Sequence, residues 1–369
     1  MRKTCIAGAV VLAAALAAGC TSGVRSGNGT TTTSRRPSAP PAPAAPTSSP
    51  VAPSTTAAAT TTTGAPAPSS YLTLFTEPTA GIAPIYSALR GAQRSLDLEM
   101  YELVDTTAEE ILAQDAARGV AVRVVLDKNL EATDNTPAYD YLSSHGVQVA
   151  WAPPGFDADH EKAMVVDTTT AWIMTLNIAS RYYSNTRDFA VEDTDPADVA
   201  AITSVFDADV TGAAVTPGAG DDLVWSPTTS YEDLIGLIES AKTTLLVENE
   251  EMENTGVVGA LEAAARNGVD VEVVMNDTSE YADDLDELVA SGVKVSTYPG
   301  DPGLYIHAKA IVVDAGGPSA RAFAGSQNFS TASLDYNREL GVITGDTGVV
   351  SALASRIRED FAAATPWTS

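Results

Sequence analysis

One short phrase occurs twice in this chain and restricts its fold more than any other feature. The first copy is His160-Glu161-Lys162-Ala163-Met164-Val165-Val166-Asp167, and the second is His307-Ala308-Lys309-Ala310-Ile311-Val312-Val313-Asp314. Both read H-x-K-x-x-x-x-D, and two of the protein's three histidines occupy the first position. The surrounding sequence repeats with them: 116–122 is echoed by 264–271, and 144–149 by 290–295. The offsets are 149 at Gly119/Gly268, 146 at Gly146/Gly292 and 147 at His160/His307. Self-similarity at a nearly constant period means equivalent structural units in tandem.

Each unit alternates apolar strands with helices. The expected order is strand (96–101; 244–249), helix (106–118; 255–267), strand (122–127; 271–276), helix (136–145; 281–291), a short strand, then the phrase. Gly119, Gly146, Gly268 and Gly292 stand where helices stop in a left-handed residue. This alternation predicts an α/β fold, a mixed or parallel sheet with helices on its faces. Sites in such sheets lie at the carboxyl ends of the strands. Two equivalent halves, 71–215 and 216–369, are then expected to pack about a pseudo-two-fold.

Val, Ile and Met between the Lys and the Asp favour a strand, whose side chains alternate faces. His160 and Lys162 therefore share a side, as do His307 and Lys309. Asp167 and Asp314 have the opposite parity and fall where a turn begins, which predicts a structural hydrogen-bonding role. Downstream, each half offers a hydroxyl, an Asn and an Arg-carboxylate pair: Thr175, Asn177 and Arg187-Asp188, then Ser326, Asn328 and Arg338-Glu339. His160 to Asp188 is 28 residues and His307 to Glu339 is 32, a difference assigned to a longer hairpin after Asp314. His145 aligns with Ser291 at a helix end, where capping explains it.

Paired H-x-K-x4-D motifs followed by Gly325-Ser326-Gln327-Asn328 resemble the phospholipase D superfamily over essentially all of 71–369. The first half departs from the G-S-x-N pattern, reading Met174-Thr175-Leu176-Asn177. The resemblance implies that the two motifs meet in one phosphodiester-cleaving site that uses neither metal nor other cofactor. One histidine then attacks phosphorus and the other serves as acid and base. The resemblance favours His160 as nucleophile and His307 as acid/base, while the near-symmetry of the halves leaves the reverse open. Lys162, Lys309, Asn177 and Asn328 are suited to hold the non-bridging oxygens. Asp188 and Glu339 are suited to accept from the histidine Nδ1 atoms.

Charge narrows the substrate. All 48 acidic residues lie after residue 70, with 16 of the 21 basic ones, so that part carries a formal −32. Nucleic-acid binding rests on many cationic contacts, so a nucleic-acid partner is not expected. Trp151, Phe156 and Tyr298 in the loops before each histidine suggest an apolar mouth for an amphiphile. Glu99 and Glu248, at matched strand ends, are candidates to bind a cationic head group or a Lys. Phospholipid hydrolysis is the leading expectation. A nuclease, a cardiolipin-synthase-like transferase of the same superfamily and a catalytically silent surface protein are the alternatives, with a monomer expected throughout.

Residues 1–20 have a basic start, a short apolar stretch and Leu16-Ala17-Ala18-Gly19-Cys20, which resembles a bacterial lipoprotein signal with Cys20 as the lipidated residue. An ordinary cleaved signal is the alternative. Residues 21–70 are Thr, Ser, Ala, Pro and Gly without one acidic residue, the composition of a disordered tether. An exported, outward-facing domain held to a membrane by its lipid is the expectation.

Overall fold

In the computed structural model, which describes residues 70–299 and 303–368, the repeats build two eight-stranded mixed sheets of matching order. The expected signal with Cys20, and the tether except for Ser70, lie outside those residues. In the first sheet Ser95–Met100 runs parallel to Ala121–Leu126, which runs parallel to Gln148–Trp151. On its other side, antiparallel pairing continues through Lys162–Val166, Thr170–Met174, Thr186–Asp193 and Leu72–Glu77. The second sheet repeats this with Thr244–Glu248, Asp270–Asn276 and Lys294–Tyr298 in parallel. Ala310–Val313, Arg321–Gly325, Glu339–Thr344 and Leu223–Ser226 follow antiparallel. Helical crossovers make the parallel pairs and hairpins the antiparallel ones, so the sheet is mixed.

The expected helices form as Thr106–Ala117, Ala132–Ser144, Thr255–Arg266 and Ala282–Ala290. Gly119, Gly146, Gly268 and Gly292 follow them with φ of 95°, 85°, 88° and 95°, conformations a Cβ would oppose. One boundary differs from expectation. The helix expected from 136 begins at Ala132 and carries Pro137 inside it, because the Asp127 carboxylate accepts the N–H groups of Leu130 and Glu131 and organises a turn upstream. The buried Asn135 then ties this helix to the backbone of Tyr101, Leu103 and Asp127, which fixes the end of the neighbouring strand.

Two further helices, Pro196–Asp209 and Thr347–Ala363, fill the space between the sheets. Val199, Ile202, Leu353 and Ile357 share one buried cluster with Val165, Ile173 and Val191 of the first sheet and Leu246, Val312 and Val342 of the second. Each such side chain contributes about 1.5–3 kcal/mol on burial, so the shared layer binds the halves into one body. Among the described residues no helix is long and apolar enough to cross a membrane.

Each motif aspartate bonds a row of backbone amides. Asp167 accepts the backbone N–H groups of Gln93, Arg94 and Ser95 at 3.0, 2.6 and 3.0 Å. Asp314 accepts those of Lys242, Thr243 and Thr244 at 3.0, 2.7 and 3.2 Å. Both occupy left-handed backbone, φ 55° and 49°, which Asp tolerates better than most residues. Each clamps the turn leaving its motif strand to the start of the central strand. Burial alone would push the Asp314 carboxyl up, but the N–H groups of Thr243 and Lys242 outweigh it and hold the pKa below the usual 3.8. The carboxylate's stability is therefore fully present above pH 3.8 and is lost as pH falls from there through the depressed value. Asp314→Ala is expected to cost about 2–3 kcal/mol in urea unfolding near neutral pH, and the gap from wild type should narrow as pH falls below that range.

Candidate active site

The phrase begins where each central strand ends. His160 and His307 lie just before their motif strands, and both open onto one cleft of about 810 Å³ shared by the two halves. Backbone pairing carries each histidine to the other half: the His160 N–H donates to the Arg338 carbonyl at 2.9 Å, and the His307 N–H to the Arg187 carbonyl at 3.1 Å. The following residues complete the exchange. His160 Nδ1 meets Glu339 Oε2 at 2.9 Å, and His307 Nδ1 meets Asp188 Oδ1 at 2.7 Å. Each histidine is thus oriented by the other half's carboxylate.

The carboxylates are themselves held. Thr175 Oγ1 donates to Asp188 at 2.6 Å, while Glu339 accepts from Ser333 Oγ at 2.5 Å and Asn337 Nδ2 at 3.1 Å. Ser326 receives the Leu340 N–H at 3.1 Å, so Thr175 and Ser326 support the strands that carry the acids. The departure between Met174-Thr175-Leu176-Asn177 and Gly325-Ser326-Gln327-Asn328 has a packing cause. A Cβ on Gly325 would lie 2.5 Å from both Gly341 Cα and the Gln327 side chain. In the first half Met174 faces Ala190 and Leu176 replaces that glutamine.

Lys162 and Lys309 lie fully buried beneath the cleft and bond back to their own histidine carbonyls at 2.8 and 2.5 Å. Asn177 and Asn328 line the cleft; Asn328 Nδ2 donates to Glu251 at 2.9 Å. Burial and then the ammonium of Lys162 hold His160 well below the usual imidazole value. Burial pushes the carboxyl of Glu339 up to about 7, and burial with Lys309 pushes Lys162 down to about 7. The first motif therefore tends toward neutral groups. Asp188 is held low by the adjacent His307 against the opposing effect of its burial. A neutral imidazole beside a charged one is the pairing that nucleophilic attack and proton donation require.

The residues expected at an apolar mouth are elsewhere. Trp151 stacks on Tyr139 at 4.5 Å, Phe156 lies under the Arg338 guanidinium at 4.4 Å, and the Tyr298 hydroxyl donates to the Asp360 carbonyl at 3.0 Å. None of the three lines the cleft. Glu99 and Glu248, too, differ from expectation: they are buried and not open to substrate. Glu99 sits with Asp209 and Arg338, and Glu248 with Asp360 and Arg187. Their strand ends point the glutamates inward, where the positive charge of the other half's arginine acts on them. His145 caps its helix, its Nδ1 bonded to the Tyr141 carbonyl at 2.7 Å.

The walls are instead Tyr101, Glu102, Glu131, Asp134, Arg181, Tyr182, Tyr183, Glu250, Glu251 and Tyr305. Tyr101 and Glu250 stand two residues beyond the aligned Glu99 and Glu248, so carrying the repeat past the strand ends would have found them. Oxygens of Glu102, Glu131 and Asp134 lie within 4.8 Å of one another, the one such carboxylate group among the described residues. Arg181 pairs with Glu102 and, at 3.4 Å, with Asp134, bringing a positive charge to that group.

Residues 85–210 and 234–364 match the family model described as "Cardiolipin synthase, PLD-like domain", and the chain belongs to the phospholipase D superfamily. No curated protein matches its sequence. The fold is similar to phosphatidylserine synthase from Haemophilus influenzae, with TM-score 0.60, 12% identity, and coverage of 79% of this chain and 85% of that one. It is also similar to polyphosphate kinase from Porphyromonas gingivalis, with TM-score 0.63 and 14% identity over 78% of this chain, which spans 50% of that kinase. A lower-scoring similarity is to Nuc, a phospholipase D family member from Salmonella typhimurium, with TM-score 0.36, 22% identity, and coverage of 40% and 97% of the two chains. At these identities the likeness is one of fold.

With three histidines in the chain, histidine-selective 15N NMR tests the exchange directly. Asp188→Asn should move the His307 ring signals and leave those of His160, and Glu339→Gln should do the reverse. Pairing within each half predicts the opposite pattern.

Proposed function

We propose that this protein is a phospholipase D-like hydrolase that releases phospholipid head groups through a phosphohistidine intermediate. The observation that carries the proposal is the pair of imidazoles opening onto one cleft, each with Nδ1 held by a carboxylate from the opposite half. In the first step His160 Nε2 attacks phosphorus, the P–O bond to the head-group alcohol breaks, and that oxygen takes the proton from His307 Nε2. In the second, water gives a proton to His307 as its oxygen attacks phosphorus, and the P–N bond breaks with its electron pair returning to His160. Asn177 can donate to a non-bridging oxygen at once. Lys162 and Lys309, buried below, supply positive charge where negative charge grows.

The wall chemistry supports a lipid over a nucleic acid. Among the described residues Arg181 is the one Arg or Lys on the cleft wall, against Glu77, Glu102, Glu131, Asp134, Glu250 and Glu251. Such a cleft repels a chain of phosphates, whereas the faces of Tyr101, Tyr182, Tyr183 and Tyr305 offer apolar contact with polar tips to an amphiphile. The lipid anchor at Cys20 belongs to the same proposal, since it would hold the cleft beside abundant substrate as a monomer facing outward.

The full chain, offered vesicles of phosphatidylcholine or phosphatidylglycerol and, separately, DNA, with and without EDTA, tests this reading. Head-group release unaffected by EDTA is expected, falling about 10³-fold or more in His160→Ala and in His307→Ala. Release that survives both substitutions overturns the mechanism, and DNA cleavage without lipid turnover overturns the substrate.

A further inference from the structure

One of the differences between the two halves faces the histidine rings from the cleft. Residue 101 aligns with residue 250 in the register that pairs Glu99 with Glu248, yet the first is Tyr and the second Glu. The Tyr101 ring lies 4.6 Å from the His160 ring, edge to face, and 4.8 Å from Lys162 Nζ. It brings no formal charge. Glu250 accepts from Lys309 Nζ at 2.9 Å and from the Tyr305 hydroxyl at 2.7 Å, and its Oε2 stands 3.7 Å from His307 Nε2. His307 therefore has a carboxylate facing each ring nitrogen, Asp188 on Nδ1 and Glu250 near Nε2, whereas His160 has Glu339 on Nδ1 and the Tyr101 ring edge-on beside it.

Building on the phosphohistidine reading above, we propose that Glu250 is the positioning residue that assigns the roles of the two histidines, keeping His307 the protonated acid and leaving His160 the neutral nucleophile. A pair of otherwise equivalent imidazoles has no internal reason to load the proton on one side. An opposite charge within about 4–6 Å of an ionisable group commonly shifts it by 1–3 units, so one additional carboxylate near the ring is enough to break the tie. The other charged groups around His307 do not supply that bias. Asp188, from the strand Thr186–Asp193, has its counterpart in Glu339. Lys309, on the histidine's own motif, is matched by Lys162. His160 approaches from the other half, and Glu77 and Glu251 stand on the walls of the shared cleft. Glu250 has no acidic counterpart at position 101. Its second bond, to Lys309, draws that ammonium toward the acid side of the site, while Lys162 bonds a carbonyl and lies over an aromatic face.

Glu250→Gln keeps the shape and the Tyr305 contact while removing the charge. Histidine-selective NMR titration of the full chain should then show the His307 pKa falling by about one unit or more, with the smaller movement at His160. In turnover, the alkaline limb of kcat/KM should move to lower pH by the same amount, because a less basic His307 loses its proton sooner, and Glu250→Asp should restore much of the wild-type position. Tyr101→Glu supplies the converse: a carboxylate on the first side should raise the His160 pKa and lower the yield of phosphoenzyme trapped by alkaline denaturation. An unmoved His307 titration in Glu250→Gln, or an unmoved His160 titration in Tyr101→Glu, overturns the assignment. These titrations need no substrate, so a protein that turns over no phosphodiester would overturn the proposed function while leaving this inference to be decided by them.

Discussion

Two dipeptides cross the pseudo-two-fold, and the site depends on both. Arg187-Asp188 leaves the first half to meet the second: Arg187 bonds Asp360 at 2.6 Å, and Asp188 bonds His307. Arg338-Glu339 makes the return journey to Asp209, at 2.8 Å, and His160. Adjacent strand residues point to opposite faces, so one member reaches the buried layer between the sheets and the other reaches the cleft. A single strand register thereby couples half-to-half packing with histidine orientation. Losing either arginine would strand buried carboxylates, a change that commonly costs about 3–5 kcal/mol. The same change would also loosen the backbone to which a histidine N–H donates.

The duplicated scaffold is symmetric where it must hold together and asymmetric where it must choose. The core clusters, the C′ glycines, the aspartate clamps and the crossed pairs all recur. Differences gather around the histidines. His160 is flanked by Asp159 and Glu161, buried with Glu99, Asp209 and a single arginine, and burial pushes Asp159 up to about 8. The corresponding neighbours of His307 are Ile306 and Ala308. On the cleft side, Tyr101 opposes Glu250. Two histidines in identical surroundings would share a proton without preference, and these few positions are where their surroundings differ.

Much of this was legible in the residues. Matched offsets exposed the duplication, and glycine spacing located the helix ends. Strand parity put each Lys on its histidine's side and gave the motif aspartates their structural role. The hairpin difference is also found: Val166 pairs with Thr170 across a short turn, and Val313 with Arg321 across a longer one. The mouth was not legible. Trp151, Phe156 and Tyr298 precede the histidines in sequence, but a loop's direction is set by what it packs on, and these rings found Tyr139, Arg338 and the last helix instead. Glu99 and Glu248 misled for a related reason: a strand end shows its parity but not which of its two faces will be covered.

The sequence by itself determined that there are two equivalent α/β units and which side chains each contributes, because periodicity, turn glycines and strand alternation are local rules that survive without neighbours. The tertiary structure alone decided that each carboxylate serves the other half's histidine, and that Glu250 rather than Glu248 comes within 3.7 Å of His307 Nε2. Those contacts join residues as far apart as His160 and Glu339, separated by 179 positions. Pairing at that distance is selected by how two sheets pack over a shared core, not by any rule that acts along the chain.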